Sequence, residues 1–146
     1  MKGSTGVKPK LLMVEDDIEN QKFLKLFLKK YFLIDICDSA ETFQQLIDKE
    51  QYEIIMMDIS IKGDKNGLDL TREFRSNASH SDIPIICYTA HAFSHDRINA
   101  LDAGCDVYIS KPSDIYTLLN TISELLKAKG INIFDNYSAA ENIFTA

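Results

Sequence analysis

Five polar side chains stand directly after short apolar runs, where a folded chain could bring them together. Glu15 and Asp16 follow "LLMV", Asp58 follows "IIMM", Thr89 ends "IPIICYT" and Lys111 follows "DVYIS". A carboxylate placed after four apolar residues loses hydration, which costs free energy unless a positive charge or hydrogen-bond donor compensates it. If these runs are neighbouring strands of one sheet, the acids, the hydroxyl and the lysine can compensate one another.

This set of groups suits phosphoryl transfer around a divalent cation. Clustered carboxylates repel one another and one lysine cannot balance them all, so a hard cation with oxygen ligands, Mg²⁺ or Mn²⁺, is the expected occupant. The cation and Lys111 would neutralise phosphoryl oxygens while a carboxylate attacks phosphorus. Of these acids, Asp58, which follows four apolar residues, is harder than Glu15 or Asp16 to explain as a helix cap.

Apolar periodicity predicts the elements that position these groups. Five short apolar runs alternate with five amphipathic segments, and the predicted strands cover residues 10–14, 32–37, 52–57, 83–88 and 106–110. The first, third and fourth runs are apolar throughout, which is typical of parallel strands covered on both faces. We therefore predict an α/β fold, a doubly wound five-stranded parallel sheet of flavodoxin-like order 2-1-3-4-5 with five flanking helices. Such sheets bind ligands at the carboxyl ends of their strands.

Local signals give further expectations for the helices. The first helix is predicted from Ile18 to Tyr31, with four apolar residues at helical spacing: Phe23, Leu24, Phe27 and Leu28. Asp38, followed three residues later by Glu41, resembles a start signal for the second helix. Ser113 is the predicted N-cap of the last helix, whose apolar face is predicted to contain Ile115, Leu118, Leu119, Ile122, Leu125 and Leu126.

Four sequence blocks together resemble the receiver domains of response regulators in two-component signalling. They are "LLMVEDD", "IIMMDIS", "IPIICYTAHA" and "DVYISKP", in the same order and at matching spacing, and the resemblance runs from about Lys10 to Lys127. The "TAHA" and "ALDAGCDVYISKP" stretches are especially similar to stand-alone receivers and to those attached to hybrid kinases. The resemblance implies a signalling domain that catalyses only its own phosphorylation and dephosphorylation, rather than an enzyme with a separate substrate.

The resemblance also implies a metal site. Asp58 would be the phospho-acceptor and, with Asp16, would supply carboxylate ligands to Mg²⁺. The backbone carbonyl of Ser60 would add a third ligand, and Glu15 would act through water.

The resemblance further implies a switch. Thr89 would hydrogen-bond the phosphoryl group, Lys111 would pair with it, and the Lys111–Pro112 peptide would be cis. Tyr108 would be the switch aromatic, turning inward when Thr89 is drawn to the phosphoryl group.

The loop after Asp58 departs from the family pattern. Lys62 stands where the family usually has a proline, and Gly67 lies nine residues after Asp58 instead of eight. The loop is therefore expected to be one residue longer than usual.

Three other functions fit parts of the pattern. A hydrolase of the aspartyl-nucleophile phosphatase type needs a second acid two residues after the nucleophile, where this chain has Ser60. A flavin- or nucleotide-binding module needs a phosphate-binding loop after the first strand, where "EDD" would repel a phosphate. A degenerate receiver, acting only as a docking module, would lack one of the acids or the lysine.

Composition and charge bound the setting. The chain has 146 residues and a formal net charge of -6, which disfavours nucleic acid or a membrane surface as the main partner. No apolar run could span a bilayer and no signal core is evident, so a cytoplasmic location is expected.

The predicted organisation is a flexible N-terminus (1–9), a receiver domain (10–129) and a mostly flexible C-terminal tail (130–146). The expected partners are a histidine kinase or histidine phosphotransfer protein and a downstream protein target.

Overall fold

The computed structural model describes residues 7–90 and 94–136, and a five-stranded parallel sheet forms its centre. The strands are β1 (Lys10–Val14), β2 (Leu33–Cys37), β3 (Ile54–Met57), β4 (Ile85–Thr89) and β5 (Val107–Ser110). Their order is β2-β1-β3-β4-β5, and every neighbouring pair is parallel. The predicted fold class and strand order are confirmed.

Five helices cover the two faces of the sheet. They are α1 (Ile18–Leu28), α2 (Ala40–Lys49), α3 (Gly67–Arg75), α4 (Ser94–Ala103) and α5 (Ile115–Lys127), and short 3-10 turns lie at Ala78–His80 and Ile133–Asn136. Across the ranges that the structure describes, every helix is too short or too polar to cross a lipid bilayer.

The core has two layers because successive strand residues point to opposite faces of the sheet. Leu12 and Val14 of β1 belong to the layer beneath α2, α3 and α4, together with Phe43 and Phe74. Leu11 and Met13 belong to the other layer, beneath α1 and α5, which also contains Leu24, Leu28, Leu118, Ile122 and Leu126. With both faces of the sheet covered, the fully apolar runs of β1, β3 and β4 are buried along their length.

Helix α1 buries less of its predicted apolar face than expected. Leu24 and Leu28 are buried, but Phe23 and Phe27 are 52% and 40% exposed. Residues four apart share one stripe of a helix, and Leu24 and Leu28 occupy the stripe that meets the sheet. Phe23 and Phe27 lie beside that stripe, where their rings contact each other with centroids 5.0 Å apart.

Two predicted helix caps are wrong by one residue. Ser39, not Asp38, is the N-cap of α2, and it forms a reciprocal capping box with Thr42. Asp114, not Ser113, is the N-cap of α5, where its carboxylate accepts a hydrogen bond from the first-turn backbone. In both places two adjacent residues have side chains that could cap the helix. The cap is the one whose extended backbone directly precedes the first helical residue.

The packed domain continues past the predicted boundary at residue 129. Ile131 and Ile133 are 8% and 1% exposed and belong to the core layer beneath α1 and α5. Phe134 also contacts Tyr31 edge-on, with ring centroids 5.6 Å apart. Apolar burial therefore places residues 131–134 in the domain rather than in a flexible tail. The rest of the predicted tail, from residue 137, and residues 1–6 of the predicted N-terminus lie outside the described residues.

Raising the pH above about 9 is expected to destabilise the fold. Burial raises the pKa of the Cys37 thiol from 9.0 to about 12. Burial, followed by the hydrogen bond to Asp35, raises the pKa of the Tyr52 phenol above its usual value of 10.0. The unfolded chain therefore loses these protons at lower pH than the folded chain. Between the two pKa values of each group, the free energy of unfolding should fall by up to about 1.4 kcal/mol per pH unit.

Urea denaturation at pH 8, 9, 10 and 11 measures this alkaline effect, with the Tyr52 contribution expected only above about pH 10. Cys37→Ala and Tyr52→Phe should each lessen the loss of stability with pH, because each removes one ionising group. Wild-type midpoints that do not change between pH 8 and pH 10 would contradict the expectation.

Candidate functional site

The Asp58 carboxylate is the centre of a hydrogen-bonded cluster at the carboxyl ends of the strands. It follows β3 directly and is 6% exposed. The Thr89 hydroxyl, at the end of β4, donates to Asp58 Oδ1 at 2.8 Å, and the Ser60 backbone N–H donates to the same oxygen at 3.1 Å. Lys111 Nζ, just after β5, donates to Asp58 Oδ2 at 3.1 Å. Both carboxylate oxygens are therefore hydrogen-bonded, which compensates the burial of Asp58.

Lys111 joins Asp58 to a second buried acid. Its ammonium also pairs directly with Oε1 of Glu15, which follows β1 and is 2% exposed. The Lys111 backbone N–H donates to the Thr89 carbonyl at 2.8 Å, which fixes where the lysine side chain begins. Three strands thus deliver Glu15, Asp58 and Lys111 to one point, as the strand-end pattern predicted.

The pKa values of this cluster reflect burial and mutual charge. Burial raises the pKa of Glu15, and the neighbouring Asp58 charge adds to that, while the hydrogen bond from Lys111 acts in the opposite direction. Burial alone would lower the pKa of Lys111, but its hydrogen bond to Glu15 and the charges of Asp58 and Glu15 raise it on balance. Lys111 therefore remains an ammonium ion between the two acids.

The candidate metal ligands are all oxygen atoms at this same edge of the sheet. Asp16 is half-buried next to Glu15, and Ser60 is exposed two residues after Asp58. No three His, Cys, Asp or Glu side chains within the described ranges form a ready-made metal cage. The expected set does not require one, because two carboxylates and one backbone carbonyl leave the other positions to water, as Mg²⁺ prefers. By the chemistry of these donors, the residues fit a small hard divalent cation.

The loop after Asp58 is tied to the neighbouring loop after β2. The Lys62 backbone N–H donates to the Asp38 carbonyl at 3.3 Å, and Lys62 Nζ pairs with Asp38 Oδ2 at 3.2 Å. Because β1 lies between β2 and β3 in the sheet, this contact carries the loop across the end of β1, where the acids lie. The loop therefore borders the acidic site.

The two predicted switch residues lie on adjacent strands. Tyr108 of β5 is opposite Cys87 of β4 and is half-buried against the core layer beneath α2, α3 and α4. Thr89 already donates a hydrogen bond to Asp58 in the unmodified protein. A switch of the predicted kind would therefore begin with an exchange of acceptor by the Thr89 hydroxyl, from carboxylate to phosphoryl oxygen.

Tyr88 contacts the site and was not among the predicted site residues. It is 7% exposed, and Lys111 Nζ lies over its ring at 5.3 Å from the centroid. The Ser113 hydroxyl donates to the Tyr88 hydroxyl oxygen at 3.2 Å. An aromatic residue in an apolar strand is normally interpreted as a core residue. The only feature of the sequence that could have indicated a role for Tyr88 in the site is its position directly before Thr89.

Comparison with known proteins places the chain in a family. The family described as "Response regulator receiver domain" matches residues 11–123. Regulatory protein VanRB of Enterococcus faecalis is 31% identical over 122 residues, which cover 83% of this chain and 54% of that protein. Response regulator ArlR of Staphylococcus saprophyticus is 33% identical over 119 residues, which cover 81% and 52% respectively. The chain thus spans about half the length of these curated relatives.

Solved structures agree with this assignment. A two-component response regulator from Clostridium difficile has a TM-score of 0.75 and 27% identity, covering 82% of this chain and 97% of that one. The receiver domain of sensor histidine kinase PA1611 from Pseudomonas aeruginosa PAO1, solved with a magnesium ion in its active-site cleft, has a TM-score of 0.75 and 26% identity, covering 83% and 99%. Together with the strand order and the Asp58 cluster, these matches show that the chain belongs to the response regulator receiver domain family.

Proposed function

We propose that this receiver domain accepts a phosphoryl group on Asp58 in a reaction that depends on Mg²⁺ or Mn²⁺. The observation that carries the proposal is the position of Asp58, whose oxygens receive hydrogen bonds from Thr89 and Lys111. These donors could move their hydrogen bonds to phosphoryl oxygens, while Asp58 supplies the nucleophile. The cation, held by Asp16, Asp58 and the Ser60 carbonyl, would neutralise charge on the phosphoryl oxygens.

The transfer itself exchanges one bond to phosphorus for another. A carboxylate oxygen of Asp58 bonds to phosphorus as the P–N bond of a phosphohistidine donor breaks, and the imidazole leaves with the bonding electron pair. Lys111 provides positive charge next to the transferred group, and the Thr89 hydroxyl provides a hydrogen bond. The chain's own part is therefore to supply the nucleophile and to orient and neutralise the group it receives.

The donor and the output follow from this chemistry. We expect the donor to be a histidine kinase or a histidine phosphotransfer protein in the cytoplasm, and the output to be a protein target that distinguishes the two states of Asp58. The new charge beside Thr89 would bias the surface formed by β4, α4 and β5 through Tyr108. Neither nucleic acid nor a membrane is expected as a partner of this domain, given its net charge of -6.

The phosphatase-type alternative is less well supported. It requires a general acid two residues after the nucleophile, and the residue there, Ser60, has an exposed side chain and no acidic group. A docking-only receiver is disfavoured because Glu15, Asp58, Thr89 and Lys111 are all present and in contact.

Intact mass spectrometry after incubation with acetyl phosphate tests the proposal. With millimolar Mg²⁺, the mass should increase by one phosphoryl group, and with excess EDTA it should not change. A chain that takes up no phosphoryl group from acetyl phosphate or from a phosphohistidine protein, although folded and supplied with Mg²⁺, would overturn the proposed function.

Binding of Mg²⁺ should also raise the stability of the unmodified domain. Ligand at ten times its dissociation constant should add about 1.4 kcal/mol to the free energy of unfolding, which corresponds to roughly 3–8 °C in melting temperature. Thermal denaturation with and without Mg²⁺ measures this shift. Asp16→Asn should remove it, while Asp17→Asn, the same change at the exposed neighbouring acid, should keep it. Equal shifts in both variants would exclude Asp16 as a ligand.

A further inference from the structure

Tyr88 and Lys111 form a contact that the family's motif residues do not include. The Lys111 ammonium lies over the Tyr88 ring, 5.3 Å from its centroid. The same ammonium forms ion pairs with Glu15 and Asp58. We propose that Tyr88 is a positioning residue for Lys111, whose ring fixes where the ammonium sits between the two acids. This inference rests on the proposed function, in which Lys111 pairs with the phosphoryl group.

The physical basis is the electron-rich face of an aromatic ring. A cation within about 6 Å of a ring centroid is attracted by the ring quadrupole, and the attraction strengthens when the pair is removed from water. Here the Lys111 side chain is 11% exposed and Tyr88 is 7% exposed. The contact therefore belongs to the stronger, desolvated kind.

Tyr88 is itself held in place by a second contact. The Ser113 hydroxyl, two residues after Lys111, donates to the Tyr88 hydroxyl oxygen at 3.2 Å. The ring is thus attached to the same short segment that carries the lysine. Ser113 does not cap α5, and its hydroxyl is hydrogen-bonded to Tyr88 instead.

Strand β4 contributes side chains to the site from both faces of the sheet. Consecutive strand residues point to opposite faces, so Thr89 reaches Asp58 while Tyr88 packs in the layer beneath α1 and α5. The Lys111 backbone N–H donates a hydrogen bond to the Thr89 carbonyl, and the end of the Lys111 side chain contacts the Tyr88 ring. Two adjacent residues of one strand therefore orient the acceptor and its cationic partner.

A ring has a specific advantage over another acid in this position. Phosphoryl transfer requires Lys111 to give up part of its pairing with Glu15 and Asp58 in favour of phosphoryl oxygens. An uncharged ring restrains the ammonium without competing for it as a further ion-pair partner. We infer that Tyr88 keeps Lys111 in reach of the phosphoryl group during this exchange.

The alternative is that Tyr88 only fills the core. Tyr88→Leu removes the ring but keeps a buried apolar side chain, whereas Tyr88→Phe keeps the ring and loses only the hydroxyl. Measured well below the melting temperature of each variant, the phosphorylation rate with acetyl phosphate and Mg²⁺ should fall about 3- to 10-fold in Tyr88→Leu. It should stay within about twofold of wild type in Tyr88→Phe and in Ser113→Ala.

A second measurement does not depend on phosphorylation. The Lys111 ε-methylene protons should show an upfield ring-current shift in the NMR spectrum of the wild type and of Tyr88→Phe, and should lose it in Tyr88→Leu. If Tyr88→Leu does not fold, the shift in the wild type and its persistence in Tyr88→Phe still test the contact. Absence of the wild-type shift, or a Tyr88→Leu rate equal to wild type, would overturn the positioning role. So would equal losses in the Phe and Leu variants, because they would assign the effect to the hydroxyl. A wild type that is not phosphorylated at all but keeps the shift would instead overturn the proposed function.

Discussion

An Asp58→Asn variant is expected to take up no phosphoryl group while keeping its fold. The amide has the shape of the carboxylate but lacks the anionic oxygen that attacks phosphorus. Its carbonyl oxygen can still accept the hydrogen bonds of Thr89 and the Ser60 backbone, and Lys111 keeps its ion pair with Glu15. The new NH₂ group would face the Lys111 ammonium, donor against donor, so we expect a loss of about 1–3 kcal/mol in the free energy of unfolding.

Intact mass after acetyl phosphate treatment distinguishes this loss of function from unfolding when circular dichroism is recorded on the same sample. Asp17→Asn is the matched control, since it makes the same chemical change at an exposed acid of the same edge and should be labelled as fast as wild type. Labelling of Asp58→Asn at the wild-type rate would move the acceptor to another residue.

The position of the site could be predicted from the sequence because the strands are unusually clear. Runs such as "IIMM" leave no polar side, which is typical of a sheet covered on both faces, and that sheet fixes which strand ends meet. Asp58, Thr89 and Lys111 then have to converge, and the structure brings them within hydrogen-bond distance.

The contacts that could not be predicted join segments far apart in the chain. Glu15 pairs directly with Lys111; the strand-end pattern predicts that both lie at one edge of the sheet, but not which acids the lysine contacts. The expected role of Glu15 toward the cation, through water, stays a prediction. Tyr88 was not recognised because a buried aromatic residue has the same sequence pattern whether or not a cation lies over its ring. The burial of Ile131 and Ile133 was missed for a related reason, since two isolated apolar residues after a helix show no periodicity.

Gly67, where the loop after Asp58 ends, lies very close to the Asp58 backbone. A Cβ at Gly67 would lie 1.9 Å from the Asp58 carbonyl oxygen and 2.8 Å from its carbonyl carbon. The Gly67 N–H donates to the Ile59 carbonyl at 2.8 Å, and the residue begins α3. The start of α3 is therefore packed directly against the Asp58 backbone, which only glycine permits.

Gly67→Ala is accordingly expected to be among the most damaging substitutions in the domain. The added methyl group meets backbone atoms, which cannot turn away as the end of a flexible side chain can, so either α3 or Asp58 must shift. We expect a loss of about 3 kcal/mol or more in the free energy of unfolding, at the upper end of overpacking effects. The phosphorylation rate should also fall in the fraction that remains folded, because a shift of Asp58 disturbs its alignment with Thr89 and Lys111. Urea denaturation and acetyl phosphate labelling measure the two effects separately.

Gly63→Ala provides the control within the same loop. Gly63 has a positive φ of 100° but no atom within 4 Å of an added Cβ, so this change should cost only the backbone strain, about 1–2 kcal/mol. Its labelling rate should stay near that of wild type, since the strain lies away from the acceptor. If the two alanine variants lose the same stability and label at the same rate, the close approach of α3 to Asp58 does not constrain the site. If Gly67→Ala alone loses both, the requirement for glycine at position 67 comes from contact with the Asp58 backbone rather than from the loop's own conformation.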